Sequence, residues 1–185
     1  MLTDEQLVEA SLQGTATAFD ELVDRYQERL LRFLLTRSSC RADAEDAIQD
    51  TFISAYRYLA SFDPRWRFST WLYRIALRNL SRQRASLGQV PVESLTSDDD
   101  PLQDCIDQSE SENVWLVAKN VLSDEAYSAL WLRYVEDMAV KDIAQALDKS
   151  LSWTKVNLLR ARRRLTTELK IVEPESTQRE SYGRI

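Results

Sequence analysis

Two neighbouring stretches place arginine and tryptophan where they could bind anions and flat rings. In residues 63–68, DPRWRF, Trp66 stands between Arg65 and Arg67. That is the composition needed to stack an unpaired base and hold the phosphates beside it. Trp66 could equally cover a core. In residues 68–84, FSTWLYRIALRNLSRQR, Arg74, Arg78 and Arg82 follow at i, i+4 and i+8, with Arg67 one heptad ahead of Arg74 and Asn79 beside Arg78. Like charges four apart repel by a few tenths of a kcal/mol each on a helix. The only acid between positions 64 and 97 is Glu93, so the ridge looks for its counter-charge elsewhere. A solvated face would satisfy it; so would a phosphate backbone.

A second cationic cluster lies near the C-terminus. Residues 150–170 hold six basic side chains, Lys155, Arg160, Arg162, Arg163, Arg164 and Lys170, against one acid, Glu168. Such a local footprint suits a phosphate-binding element. On a helix, Ser152, Trp153, Lys155, Val156, Asn157 and Arg160 lie on or beside the face opposite Leu158 and Leu165. They are candidates for the major groove, where Asn pairs with adenine and Arg with guanine. Arg162, Arg163 and Arg164 are expected to neutralise phosphates, which adds affinity without sequence choice. A third group has the opposite sign. Asp43, Glu45, Asp46, Gln49 and Asp50 form a polar, acidic surface that would dock on a basic partner or simply be solvated.

Enzyme chemistry is hard to assemble here. The 185-residue chain has no histidine, two isolated cysteines (Cys40 and Cys105) and only three glycines, so no zinc set, phosphate-cradling loop or acid/base constellation emerges. No cofactor is expected. Both cysteines read as incidental thiols. No apolar run is long enough to span a bilayer and the N-terminus MLTDEQLVEA has no hydrophobic signal core, so a soluble, cytoplasmic protein without membrane insertion is expected.

The elements that must position these residues are helical. Three glycines and four prolines are too few for a strand-and-turn fold, and 44% hydrophobic content supports real cores. Thr3 and Gln6 have capping-box spacing at the start of a first helix that ends at Gly14. A second helix carries Phe19, Leu22, Val23, Tyr26, Leu30, Phe33 and Leu34 on one side. The third buries Ala44, Ala47, Ile48, Phe52, Ala55 and Tyr56 and stops at the Asp63–Pro64 pair. The fourth puts Phe68, Trp71, Leu72, Ile75, Ala76 and Leu80 on its inner face.

Residues 86–112 hold eight of the chain's acids with residues 113–114 adding none, contain no basic residue and lack helical periodicity. They read as a flexible acidic linker, able to reach roughly 90 Å when extended. It could also mimic nucleic acid. Helical periodicity then resumes. Ser123 caps one helix, Val140, Ile143, Ala144 and Leu147 line the next, and Leu151, Thr154, Leu158, Ala161 and Leu165 line the last. A short helix, a tight turn and a long basic helix make a helix-turn-helix pattern, with Asp148 at a turn position that needs a left-handed backbone. The expected fold is all-α, with two small helical domains at 1–85 and 113–170, the linker 86–112 between them and a disordered tail at 171–185. The net charge of −6 hides this segregation of sign.

Four segments together resemble the extracytoplasmic-function (ECF) class of bacterial RNA polymerase sigma factors. DAEDAIQDTFISAYRYLASFD is similar to the family's polymerase-binding helix and FSTWLYRIALRNL to its signature for the promoter −10 element. LRYVEDMAVKDIAQAL with TKVNLLRARRRL resembles its −35-binding helix-turn-helix. The resemblance covers about residues 5–168 and implies a non-enzymatic initiation factor that brings core polymerase to promoters and helps melt them. It further implies docking of the acidic third helix on the β′ clamp, a contact with the β flap, and capture of a flipped base by the Trp66 loop. A controlling anti-sigma factor, membrane-bound or not, is implied as well. Trp153 departs from the small residue usual at its position, and Arg78 stands near a site where some relatives carry asparagine, so the promoter sequence stays open. The competing class is a two-domain helix-turn-helix repressor or activator that works without joining the polymerase.

Overall fold

The computed structural model describes residues 1–38, 40–86 and 110–172. Among the described residues there are eight α-helices and one 3-10 turn, with no strand. The first four helices are α1 (Asp4–Leu12), α2 (Ala16–Leu35), α3 (Arg41–Arg57) and α4 (Phe68–Ser86). Helix α1 opens on the expected capping box: Gln6 N donates to Thr3 Oγ1 at 3.2 Å and Thr3 N to Gln6 Oε1 at 2.8 Å. It ends where Gly14 takes φ +96, a conformation that costs a residue with a Cβ. Arg25 then ties α1 to α2 through Asp4 at 2.7 Å, and the Tyr26 hydroxyl donates to the same carboxylate.

Helix α2 is the spine of this half. Phe19, Leu22, Tyr26, Leu30, Phe33 and Leu34 are buried, as the periodicity requires. Each such side chain, taken from water, stabilises by about 1.5–3 kcal/mol. Helix α4 lays Phe68, Leu72, Ala76 and Leu80 against that core, while Trp71 and Ile75 sit partly buried at its margin. Tyr73, absent from the expected stripe, is fully buried, with its ring edge-on to Phe33 at 5.2 Å. Burial drives its phenol pKa well above the ordinary value.

Helix α3 differs from expectation in two respects. It stops at Arg57, and a separate 3-10 turn, Leu59–Ser61, carries the chain on toward Asp63 and Pro64. Its buried side is Ala44, Ala47, Thr51 and Ala55, and Tyr56 is 62% exposed. The small side chains let α3 lie close on α2 and α4, leaving no depth for a tyrosine ring. Tyr56 therefore rests edge-on against Phe19 at 5.0 Å on the rim. Thr51 is tolerated inside because its hydroxyl donates to Ala47 O at 2.6 Å.

The second half comprises α5 (Glu110–Val121), α6 (Asp124–Tyr134), α7 (Val140–Ala146) and α8 (Leu151–Val172). Ser123 caps α6 by accepting from Ala126 N, with Asp124 and Glu125 in the first turn where the helix dipole favours acid. Trp115, Tyr127 and Trp131 pack as an aromatic cluster between α5 and α6. Thr154, Leu158 and Ala161 of α8 are buried as expected, with Ile143 and Ala144 of α7. Leu151 is 44% exposed instead. It is the first residue of α8, and a side chain there leans back past the helix end, beyond any neighbour. Asp148 has φ 57, so the turn before α8 is left-handed as its sequence suggests. Asp137, with φ 48, makes a second such turn before α7.

The two halves pack on each other. Helix α4 lies against α7, and the Phe33 and Trp131 rings meet at 6.3 Å. One face of α2 and its C-terminal end, Arg29, Phe33 and Arg37, runs antiparallel along α6. Arg29 pairs with the buried Glu136 at 2.5 Å, and Arg37 donates to Asp124 O at 2.6 Å and to the Ser128 hydroxyl. Most of the expected linker and all of the tail beyond Val172 lie outside the described residues; Ser86 closes α4 and residues 110–112 open α5.

Candidate nucleic-acid and partner-docking interface

Three surfaces carry the side chains singled out by sequence. The first is the outer side of α3, where Glu45, Asp46, Gln49 and Asp50 are exposed and Asp43 is partly buried in the first turn. Glu45 pairs with Arg41 at 2.8 Å. Among the described residues Asp46 and Asp50 make no ion pair, so the acidic face keeps charge for an outside partner. The alanine and threonine contacts beneath it hold that face rigidly.

The second surface is the turn into α4. Asp63 organises it: Arg65 N donates to Asp63 Oδ1 at 3.0 Å, and Arg65 Nη2 meets Oδ2 at 2.6 Å. These hydrogen bonds, side-chain first, hold the Asp63 carboxyl below the usual carboxylate range and raise the Arg65 guanidinium. Residue pairs of the form Asp-x-Arg beside a proline are the sequence signal for this clamp, and it went unread. Trp66 is partly buried and helps wall a cleft of about 230 Å³ with Phe62, Thr70, Trp71 and Arg74, and with Gln145 from α7. Both uses of Trp66 are thus compatible with its place: one face packs while the cleft stays open to solvent.

Arg67, Arg78 and Arg82 are exposed, so the cationic ridge is largely open. Arg74 is not. Its Nη2 pairs with Asp148 Oδ1 at 2.9 Å, its side chain is 30% exposed, and its Nε is buried without a hydrogen-bond partner. The counter-charge that the sequence lacks locally comes from 74 residues away. Asn79 faces back toward α3, its Nδ2 donating to Ser54 Oγ at 3.3 Å.

The third surface is α8. Ser152, Lys155, Val156, Arg160, Arg162, Arg163 and Arg164 are all exposed. The lysine and these four arginines make no ion pair among the described residues. Trp153 is partly buried under Lys149, whose Nζ sits 5.2 Å from the ring centroid. Ser150 caps the helix, accepting from Trp153 N at 3.1 Å. Asn157 is partly buried, and its Nδ2 donates to Trp153 O at 3.0 Å. One donor of its amide is therefore spent within the helix, leaving the second donor and the carbonyl oxygen for a base edge. A basic helix standing free of the core, preceded by a short helix and a left-handed turn, has the geometry of a groove-reading element. Among the described residues no group of side chains could hold a metal ion, and no helix is long and apolar enough to cross a membrane.

Comparison with known proteins agrees with this arrangement. The family description Sigma-70 region 2 matches residues 22–88, and Sigma-70, region 4 matches residues 116–165. The chain is 32% identical to the ECF RNA polymerase sigma-E factor of Haemophilus influenzae, over 91% of its own length and 96% of the relative's. It is 29% identical to the RNA polymerase sigma-H factor of Pseudomonas aeruginosa, over 90% and 94%. Two solved structures share the fold: CnrH in complex with the cytosolic domain of CnrY (TM-score 0.65, 22% identity, 91% of this chain and 97% of that one) and the sigma factor RpoE in complex with the anti-sigma factor NepR from Bartonella quintana (TM-score 0.62, 21% identity, 83% and 97%). The chain belongs to the sigma-70 family of RNA polymerase sigma factors, in its ECF class. It is a transcription initiation factor that binds core RNA polymerase and directs it to promoter DNA.

Proposed function

We propose that residues 1–85 dock on core polymerase and recognise and open the −10 element, that residues 113–170 read the −35 element, and that residues 86–112 connect them. Asp43, Glu45, Asp46, Gln49 and Asp50 meet the β′ clamp. Trp66 stacks a base released from the −10 strand, with Arg65, Arg67, Arg74, Arg78, Asn79 and Arg82 along its backbone. Helix α8 enters the −35 major groove: Ser152, Trp153, Lys155, Val156, Asn157 and Arg160 face base edges, and Arg162, Arg163 and Arg164 face phosphates. The second half also contacts the β flap. The protein acts in the cytoplasm and performs no catalytic step of its own. An anti-sigma factor restrains it until a signal arrives, as the partner-bound states of CnrH and RpoE suggest for a chain of this fold.

The observation that carries the assignment is the segregation of charge onto separate rigid helices: exposed acid on α3, and exposed cation without internal partners on α8. Transcription from candidate promoters by core polymerase, with and without the protein, tests it. Initiation should require the protein. The double variant Asp46→Lys with Asp50→Lys should weaken binding to core polymerase while helix content by circular dichroism is unchanged. Duplex binding together with no affinity for polymerase would instead identify a free-standing helix-turn-helix regulator.

A further inference from the structure

We infer that the second half serves as an intramolecular cover over the −10 strand site, so that the free chain rests in a closed form in which single-stranded DNA cannot reach Trp66 and Arg74. The inference rests on the proposed role of those two residues. Three observations converge on it. Gln145 of α7 helps wall the cleft beside Trp66, Thr70 and Trp71, so a base stacked there would compete with α7 for the space. Asp148 occupies the Arg74 guanidinium at 2.9 Å, and a carboxylate at that place stands in for a DNA phosphate. The turn carrying Asp148 leads directly into α8, so the two DNA-reading surfaces touch. Surfaces in contact cannot also grip two duplex sites a helical turn or more apart, about 34–36 Å.

The cover is built to come off. Arg29–Glu136 at 2.5 Å, Arg37–Asp124 at 3.3 Å and the Phe33–Trp131 contact latch it along α2. At the cleft itself the match is poorer: Thr70 Oγ1, Arg74 Nε and Gln145 Oε1 are buried without hydrogen-bond partners among the described residues. Buried polar groups left unpaired oppose the packing that buries them. A phosphate and a base offer Arg74 and Thr70 what α7 does not, while polymerase draws the halves apart.

The test uses the full chain and a fluorescein-labelled, randomised single-stranded DNA oligonucleotide. Asp148→Asn removes the competing charge and keeps a residue that tolerates the left-handed turn. It should tighten binding about two- to fivefold, the range expected from an exposed pair. Adding Glu136→Gln should raise the gain further and increase the radius of gyration by X-ray scattering. Trp66→Ala in that background should remove the gain. Asp137→Asn makes the same charge change at the other left-handed turn, whose acid meets Arg133 rather than α4, and should have no effect. Equal gains from Asp137→Asn and Asp148→Asn would reduce the effect to net charge and overturn the cover. So would unchanged affinity and size in folded Asp148→Asn and double variants, including the case where no variant binds measurably. Promoter-directed transcription with wild-type protein separates the two readings: if it proceeds while the cover fails, the initiation role stands alone, and if it is absent, both fall.

Discussion

Helices α2 and α8 are both rich in arginine, yet they use it in opposite ways. Arg25, Arg29 and Arg32 of α2, and Arg37 just past its end, each meet a carboxylate: Asp4 and Glu21, Glu136, Glu28, and Asp124 respectively. Lys155, Arg160, Arg162, Arg163 and Arg164 of α8 meet none among the described residues. Charge counts per helix would rank the two as similar cations. Geometry separates them into charges that organise this chain and charges left for another molecule. Arg74 of α4 belongs to both groups, satisfied by Asp148 here and adjacent to the open Arg78 and Arg82.

The contrast can be broken most strongly at Arg29. Arg29→Met strands the buried Glu136 carboxylate, whose side chain is only 1% exposed. The loss of folding stability should approach about 3 kcal/mol, the low end for a broken buried pair because Arg29 itself is half-exposed. Urea titration measures it, and a loss below about 0.5 kcal/mol, typical of an ordinary surface change, would make the pair ornamental. On α8 the consequences should move from stability to DNA. Asn157→Ala should relax discrimination at one base position by about 1–3 kcal/mol, read in the polymerase complex with a panel of −35 variants. An equal shift on every variant would mean that the amide only braces Trp153 O. The smallest effect belongs to Arg163→Ala: stability within about 0.5 kcal/mol of the parent, and a salt slope of duplex binding reduced by about one. Altered base preference in that variant would rotate the assigned faces of α8.

Local rules were visible in the sequence wherever one element decides its own shape. The Thr3 and Gln6 capping box, the Ser123 cap, the left-handed Asp148 and the buried stripe of α2 follow from neighbours within a turn or two. Positions set by a distant partner were not. Tyr73 and Glu136 look like surface residues until Phe33 and Arg29 are brought against them. Tyr56 looks like core until the alanines of α3 draw the backbones too close to admit it. The same holds for the candidate site. Exposure of Arg78, Arg82 and the α8 cations agrees with the reading of charge runs as outward-facing, whereas the Arg74–Asp148 pair depends on how the halves meet.

The alanine-lined underside of α3 makes the acidic face unusually sensitive to substitutions in one direction. Under a helix seated on leucines, shortening a side chain opens a cavity and costs more than modest enlargement. Under α3 there is little left to shorten at Ala44, Ala47 and Ala55, all essentially inaccessible. Any added methyl must lift the backbone or force a neighbour from its rotamer. Lifting by even a fraction of an ångström would swing the whole row from Glu45 to Asp50 relative to α4. Variation among descendants of this sequence should therefore be freer in the carboxylates themselves than in the methyl groups behind them, because the tolerances of the joint are set by its smallest parts.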